Sequence, residues 1–248
     1  MFNYDTQMKS EIDTELYTSQ RLNGYYKFYP KVIDLLFSLQ YEQGDMQDVN
    51  TDYGSFQGRA DVDYSQLPYT FNSIFMLINK GYYLEATILV RQVFETLVQL
   101  RYFHKNSNIM TEHILGKYIS FKDMMNDITT KDIYRHYRTL CSYSHGFIMK
   151  DLQRTFREDK DNPTRILGNF YNEQNCTIVT NFIFDLLIGV LLLYKEIFDC
   201  NTLDKSEEVS KLYSDILVWC LGGRESHKRE NVDSIKFHDN MDGLIFVE

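Results

Sequence analysis

The segment ATILVRQVFETLVQL, residues 86–100, decides the fold class because its apolar side chains recur at the period of a helix. Five of them lie on one face, at spacings of 4, 3, 4 and 3 residues: Ala86, Val90, Val93, Leu97 and Leu100. Such a face is the buried seam of a helical bundle. The segment therefore predicts a core helix of an all-α protein.

The composition of the 248-residue chain also favours helices. Only 3 prolines and 12 glycines interrupt it, whereas an all-β fold needs many turns. A hydrophobic fraction of 44%, with 15% aromatic residues, is enough to build a buried core. The chain is therefore expected to be an ordered globular protein.

The longest apolar segment, residues 178–198, predicts a second core helix. Polar and charged residues interrupt it, so its uncharged run is expected to be too short to cross a bilayer. Thr177, Asn181 and Asp185 form a row at i,i+4 spacing on this helix. Because buried polar groups need partners, the row faces either water or a basic side chain, and Arg138 is the first candidate partner of Asp185.

The remaining pattern places a cap before the bundle. Residues 1–64 predict an N-terminal helical cap that ends in an acidic loop at 41–63, which is either mobile or functional. Residues 65–223 predict the bundle core of about five helices. The last of these helices is expected to end at Gly222 and Gly223, because glycine is common just after a helix.

The C-terminal tail, residues 224–248, predicts a short β-hairpin. Its apolar runs at 235–237 and 244–247 flank Asp242-Gly243, a dipeptide typical of tight turns. The hairpin packs either on the bundle or on another subunit. The expected fold class is therefore all-α, a helical bundle with an N-terminal helical cap and a short C-terminal β-hairpin.

Charge and cysteine usage exclude several classes of protein. The net charge of −9 gives no global basic field for nucleic acid or an anionic membrane, although residues 101–160 carry 11 Lys and Arg against 7 Asp and Glu. The four cysteines form no C-x-x-C pair, so reduced core thiols are expected and not a zinc or redox motif. The polar residues 1–16 lack the apolar core of a signal peptide, so a cytoplasmic location without membrane contact is expected.

Side chains that can bind a ligand or take part in catalysis are concentrated in DIYRHYRTLCSYSHG, residues 132–146, inside the basic region. Arg138, Ser142 and His145 recur at i, i+4 and i+7, so on a helix they can address one ligand. Gly146 predicts the helix end, where exposed carbonyls favour a cationic imidazole on His145. Four further histidines stand alone and are expected at the surface or at interfaces: His104, His113, His227 and His238.

Two segments together resemble the HEPN superfamily of helical proteins, in its uncharacterised bacterial branch. One is the R-x-x-x-E segment RQVFE, from Arg91 to Glu95. The other is YRTLCSYSH, from Tyr137 to His145, which contains an R-x6-H motif. The similarity covers residues 69–194. Taken alone, Arg91 and Glu95 form either a surface ion pair worth about 0.3–0.5 kcal/mol or a buried pair that orients the site.

The resemblance implies an endoribonuclease that uses neither metal nor cofactor, in a toxin or anti-phage defence role. Arg138 would hold the scissile phosphate, and His145 would act as acid or base toward the ribose 2′-OH or the leaving oxygen. Supporting roles are expected for five residues: Ser142, Tyr137, Arg91, Glu95 and Asp185.

The same resemblance implies partners. One motif histidine per chain predicts a homodimer in which two motif helices meet across a two-fold axis, because 2′-OH attack needs both a base and an acid. RNA or a nucleotide is the expected ligand, and an antitoxin or sensor protein is a further expected partner.

Two other interpretations stay open. In the first, Arg138 pairs with Asp185 or Glu95, and His145 only caps its helix. In the second, the basic pocket belongs to a non-catalytic helical binding module for a nucleotide, an anionic ligand or a partner protein.

Overall fold

The computed structural model describes residues 4–44, 56–114, 116, 118–128, 133–134, 137–138, 140–141, 157–159, 162–166, 171–198, 206–230, 238–239, 241–242 and 244–245. The helices bounded within these residues are, in chain order, α1 (Tyr4–Arg21), α2 (Asn23–Gly44), α3 (Phe56–Asn79), α4 (Tyr83–Lys105), α5 (Ser107–Ile114), α6 (Phe121–Ile128), α7 (Glu173–Ile197) and α8 (Glu207–Glu230). One antiparallel ribbon pairs β1 (Arg157–Asp159) with β2 (Asn162–Ile166).

Helices α4 and α7 form the centre of the fold. Helix α4 packs on α3 and α7, and α7 also packs on α8. The five seam residues predicted on α4 are all buried, each at most 3% exposed, so that prediction is confirmed. Every residue from 179 to 191 on α7 is buried. Tyr64 and Tyr213 donate their O–H groups to the α7 carbonyls of Val190 and Leu191, both at 2.9 Å, which ties α3 and α8 to this central helix.

Helix α7 is the one described helix that is long and apolar enough to cross a membrane by length and composition. Asp185 and Lys195 still interrupt its uncharged run, as the sequence predicted. In the most apolar 18-residue stretch of this helix, 83% is buried inside the protein, as in the core helix of a bundle.

The predicted acidic loop at 41–63 was wrong at both ends. Helix α2 continues to Gly44 and α3 already begins at Phe56, while residues 45–55 lie outside the described residues. The start of α3 was missed because its buried stripe begins with Ala60 and Tyr64 and not with a cluster of aliphatic residues.

Helix α8 does not end at Gly222 and Gly223, as the sequence suggested, but continues to Glu230. A Cβ atom on Gly223 would lie 2.6 Å from the ring of Phe184 on α7. Gly223 therefore lets α7 and α8 approach each other, whereas a Cβ on Gly222 would meet nothing within 4 Å.

Alanine at these two glycines should have opposite effects. Gly223→Ala is expected to lower the free energy of unfolding by about 1–3 kcal/mol, because its methyl group overpacks against Phe184. Gly222→Ala is the matched control and should raise stability by up to about 1 kcal/mol, since alanine is the better helix former. Urea unfolding followed by circular dichroism measures both changes. Equal effects at the two positions would contradict the assigned close packing.

The predicted C-terminal β-hairpin is wrong. The described tail residues at 238–239, 241–242 and 244–245 have helical backbone. Met241, Leu244 and Ile245 follow the i, i+3, i+4 spacing of a helix and are each at most 3% exposed. The tail packs on the bundle, since Arg101 on α4 donates to the carbonyl of Ile245 at 3.2 Å. The architecture remains a helical bundle, with its only described strands in the β1–β2 ribbon.

Candidate functional site

The two segments that carry the HEPN resemblance meet at the carboxylate of Glu95. Arg91 Nε donates to Glu95 Oε1 at 2.7 Å, and the Tyr137 hydroxyl donates to the same oxygen at 2.8 Å. Arg91 Nη2 also lies 3.5 Å from the Tyr137 oxygen, and its guanidinium carbon lies 5.6 Å from the centre of the Tyr137 ring. One carboxylate thus joins α4 to the motif segment.

Aromatic packing fixes the ring of Tyr137. It stacks on Phe94 of α4 with the ring centres 5.7 Å apart. It also packs on Phe121 at the start of α6, with the ring centres 4.8 Å apart. Burial raises the pKa of Tyr137, and its hydrogen bonds with Cys141 and Glu95 act in the same direction. The phenol therefore stays neutral near pH 7 and remains a hydrogen-bond donor to Glu95.

The Arg91–Glu95 pair lies between the two alternatives that the sequence left open. Its side chains are 23% and 29% exposed, so it is neither a free surface pair nor fully buried. An ion pair this accessible adds little stability by itself. The pair instead fixes the position of Tyr137, because the Tyr137 hydroxyl donates to the same Glu95 oxygen that Arg91 holds.

Arg138 follows Tyr137 directly and is exposed. Ile133 and Leu140 are fully buried, so they anchor the opposite side of the segment. Ser142 and His145 lie outside the described residues. The structure therefore brings together Arg91, Glu95 and Tyr137 with Arg138 beside them, and it leaves the positions of Ser142 and His145 as predictions.

Asp185 does not join this cluster. Its side chain is 0% exposed, with Oδ2 2.8 Å from His238 Nδ1 and Oδ1 3.2 Å from Arg224 Nε. Arg224 also donates to the carbonyl of His238 at 2.7 Å and pairs with Asp242. The prediction of a basic partner for Asp185 is confirmed, but Arg138 as the first candidate was wrong, and so was a role for Asp185 in supporting the motif.

His238 was expected at the surface or at an interface, yet it is 0% exposed and lies in the core beside Asp185. Burial raises the pKa of the Asp185 carboxyl, while the hydrogen bond to His238 and the charges of His238 and Arg224 lower it. The sequence indicated that Asp185 has a cationic partner, since a carboxylate within the most apolar helix requires one, but it did not indicate which residue that is.

The described cysteines fit the prediction of reduced thiols. Cys176 and Cys220 are buried and form no disulfide, Cys141 is partly buried, and Cys200 lies outside the described residues. Burial raises the pKa of Cys176 to about 12, so this side chain is a thiol and a poor nucleophile near pH 7.

The exposed Arg138 directly follows a fixed, neutral phenol in sequence, on a segment held by hydrogen bonding to α4. Within the described part of the chain, no three His, Cys, Asp or Glu side chains are grouped to hold a metal ion. No family model, curated protein or solved structure matches this chain.

Proposed function

We propose that the protein is a metal-independent endoribonuclease of the HEPN type, in which Arg138 holds the scissile phosphate and His145 transfers protons. One observation carries the proposal: Tyr137 and Arg91, from the two segments of the resemblance, donate to the same oxygen of Glu95. Tyr137 and Glu95 are 42 residues apart in sequence, so local helical spacing does not account for their contact.

Electrostatics at this cluster favour a phosphate at Arg138. The carboxylate of Glu95 by itself would repel an anion nearby. Arg91 pairs with this carboxylate at 2.7 Å and offsets its charge. Arg138 is an exposed residue that adds a positive charge to this segment, and a planar guanidinium can donate two hydrogen bonds to phosphate oxygens.

The reaction needs two proton transfers. A base takes the proton from the ribose 2′-OH, the 2′ oxygen attacks phosphorus, and the bond from phosphorus to the 5′ oxygen breaks. The leaving oxygen takes a proton from an acid, and the products are a 2′,3′-cyclic phosphate and a 5′-hydroxyl. Two copies of His145 in a homodimer supply the base and the acid, and Arg138 stabilises the charge that develops on phosphorus oxygens.

An RNA-cutting toxin or anti-phage effector has to be restrained until it is needed. An antitoxin or a sensor protein that covers Arg138 is the partner that this role calls for. The rival function is a helical binding module that holds a nucleotide at the same cluster without cutting RNA.

Purified full-length protein incubated with RNA in EDTA tests the proposal. Cleavage should persist and leave 2′,3′-cyclic phosphate ends, and Arg138→Ala should weaken both RNA binding and turnover. Lys9→Ala removes an exposed cation on α1 and should change neither. Intact RNA at every protein concentration, together with nucleotide binding, would assign the protein to the binding module.

A further inference from the structure

A cleft opens where the first turns of α3 and the last turns of α4 meet α5. Its volume is about 80 Å³. Leu100, Phe103 and Met110 form an apolar floor, with 2%, 6% and 2% of their surfaces exposed. A water molecule needs about 10–15 Å³ of such space, so the cleft has room for a small planar group.

The walls of this cleft combine aromatic rings with both signs of charge. Arg59 Nε lies 3.1 Å from Asp63 Oδ2, and their side chains are 53% and 16% exposed. Gln99 adds an amide that both donates and accepts, and the ring of His113 lies 5.3 Å from that of Phe103. The charges of Arg59 and Asp63 make the cleft unsuitable for a simple anion or cation. Rings beside mixed donors and acceptors are the surroundings that proteins give to an unstacked nucleobase.

The cleft lies next to the proposed catalytic cluster. Gln99 follows Glu95 by four residues, which is about 6 Å along α4, and Phe103 follows by another turn. Glu95, which holds the motif segment through Tyr137, is therefore one turn of α4 away from the cleft.

We propose that this cleft binds a guanine base of the RNA strand, an inference that rests on the proposed function. Asp63 supplies the specificity, because the Watson–Crick edge of guanine carries two adjacent N–H donors that a carboxylate can accept together. Adenine, cytosine and uracil do not present two adjacent N–H donors of this kind. Asp63 can bind Arg59 at the same time, since a carboxylate has about four acceptor positions.

Equilibrium binding to full-length His145→Ala protein tests this assignment without cleavage. The probes are uridine hexanucleotides with one central guanine, adenine or cytosine, and guanosine 5′-monophosphate. The guanine oligonucleotide should bind about tenfold more tightly than the other two, within the range of a good bidentate contact. Asp63→Asn should remove this preference, while Asp61→Asn, an exposed carboxylate on the same helix, should keep it.

Each alternative outcome overturns a defined part of the assignment. Equal affinity for the three oligonucleotides, or equal loss in Asp63→Asn and Asp61→Asn, removes the guanine site. Mononucleotide binding as tight as that of the guanine oligonucleotide assigns the cleft to a free nucleotide and not to RNA. Thermal unfolding of each variant shows whether a lost preference reflects a lost fold. Cleavage by wild-type protein is measured separately, so failure of the ribonuclease proposal is distinguished from failure of the guanine site.

Discussion

Replacing His145 by alanine is expected to lower the rate of RNA cleavage by about 10²–10⁴-fold, the usual contribution of general acid–base catalysis. An imidazole with a pKa near neutrality can accept and donate a proton at pH 7, and alanine can do neither. RNA binding should change little, because Arg138 still holds the phosphate. Single-turnover cleavage and equilibrium binding, measured on the same variant, separate the two effects.

His104→Ala is the matched control for this experiment. His104 is a partly exposed histidine on α4 that lies 3.3 Å from Glu196 and packs on Phe56 in the wall of the cleft, so its loss can weaken RNA binding but should leave the cleavage rate of bound RNA unchanged. If the active site is shared between subunits, wild type mixed with excess His145→Ala protein should lose more activity than dilution explains. Full cleavage by His145→Ala protein would remove His145 from the mechanism.

The parts of the fold that were predicted correctly are those with a local repeat of aliphatic residues. Val90, Val93 and Leu97 repeat at helical spacing, and burial of this face needs no knowledge of the rest of the chain. The start of α3 lacked that signal, because a buried alanine and tyrosine in an acidic segment resemble a loop.

Local signals also competed with one another in the tail. Asp242-Gly243 favours a turn, and this signal suggested a hairpin. The helical spacing of Met241, Leu244 and Ile245 was equally present in the sequence, and burial of these three side chains follows it. Gly223 was misassigned for a related reason, since glycine is common both at helix ends and at close contacts between helices, and the sequence alone does not distinguish the two.

In the candidate site, too, residues at local helical spacing were predicted and contacts between distant segments were not. Arg91 and Glu95 were found because they are four residues apart on one predicted helix. The partners of Asp185 were not, since His238 lies 53 residues away and no periodicity links the two. The cleft at the junction of α3, α4 and α5 was missed because Asp63, Gln99 and His113, which line it, come from three different helices.

Asp185→Ala is expected to lower the free energy of unfolding by about 3–5 kcal/mol, because it removes the buried carboxylate that both Arg224 and His238 contact and leaves Arg224 only the more exposed Asp242 as an acidic partner. Arg224 is 4% exposed and lies 3.2 Å from Asp185, so water cannot replace the lost charge without opening the core. This loss is a large share of the roughly 5–15 kcal/mol that holds a typical protein folded. Guanidinium chloride unfolding, with its midpoint and slope, measures the change.

Asp239→Ala is the matched control, since Asp239 lies in the tail between His238 and Asp242 and pairs with Lys228 at 2.9 Å while remaining 55% exposed. A surface pair of this kind contributes at most about 1 kcal/mol. Adding Arg224→Ala to Asp185→Ala should cost less than the sum of the two single changes, because the double variant no longer buries a guanidinium that has lost its buried carboxylate. Additive costs, or a smaller loss for Asp185→Ala than for Asp239→Ala, would show that the tail is held by its apolar residues. In that case the ion pairs of Arg224 would be incidental to the docking of the tail on the bundle.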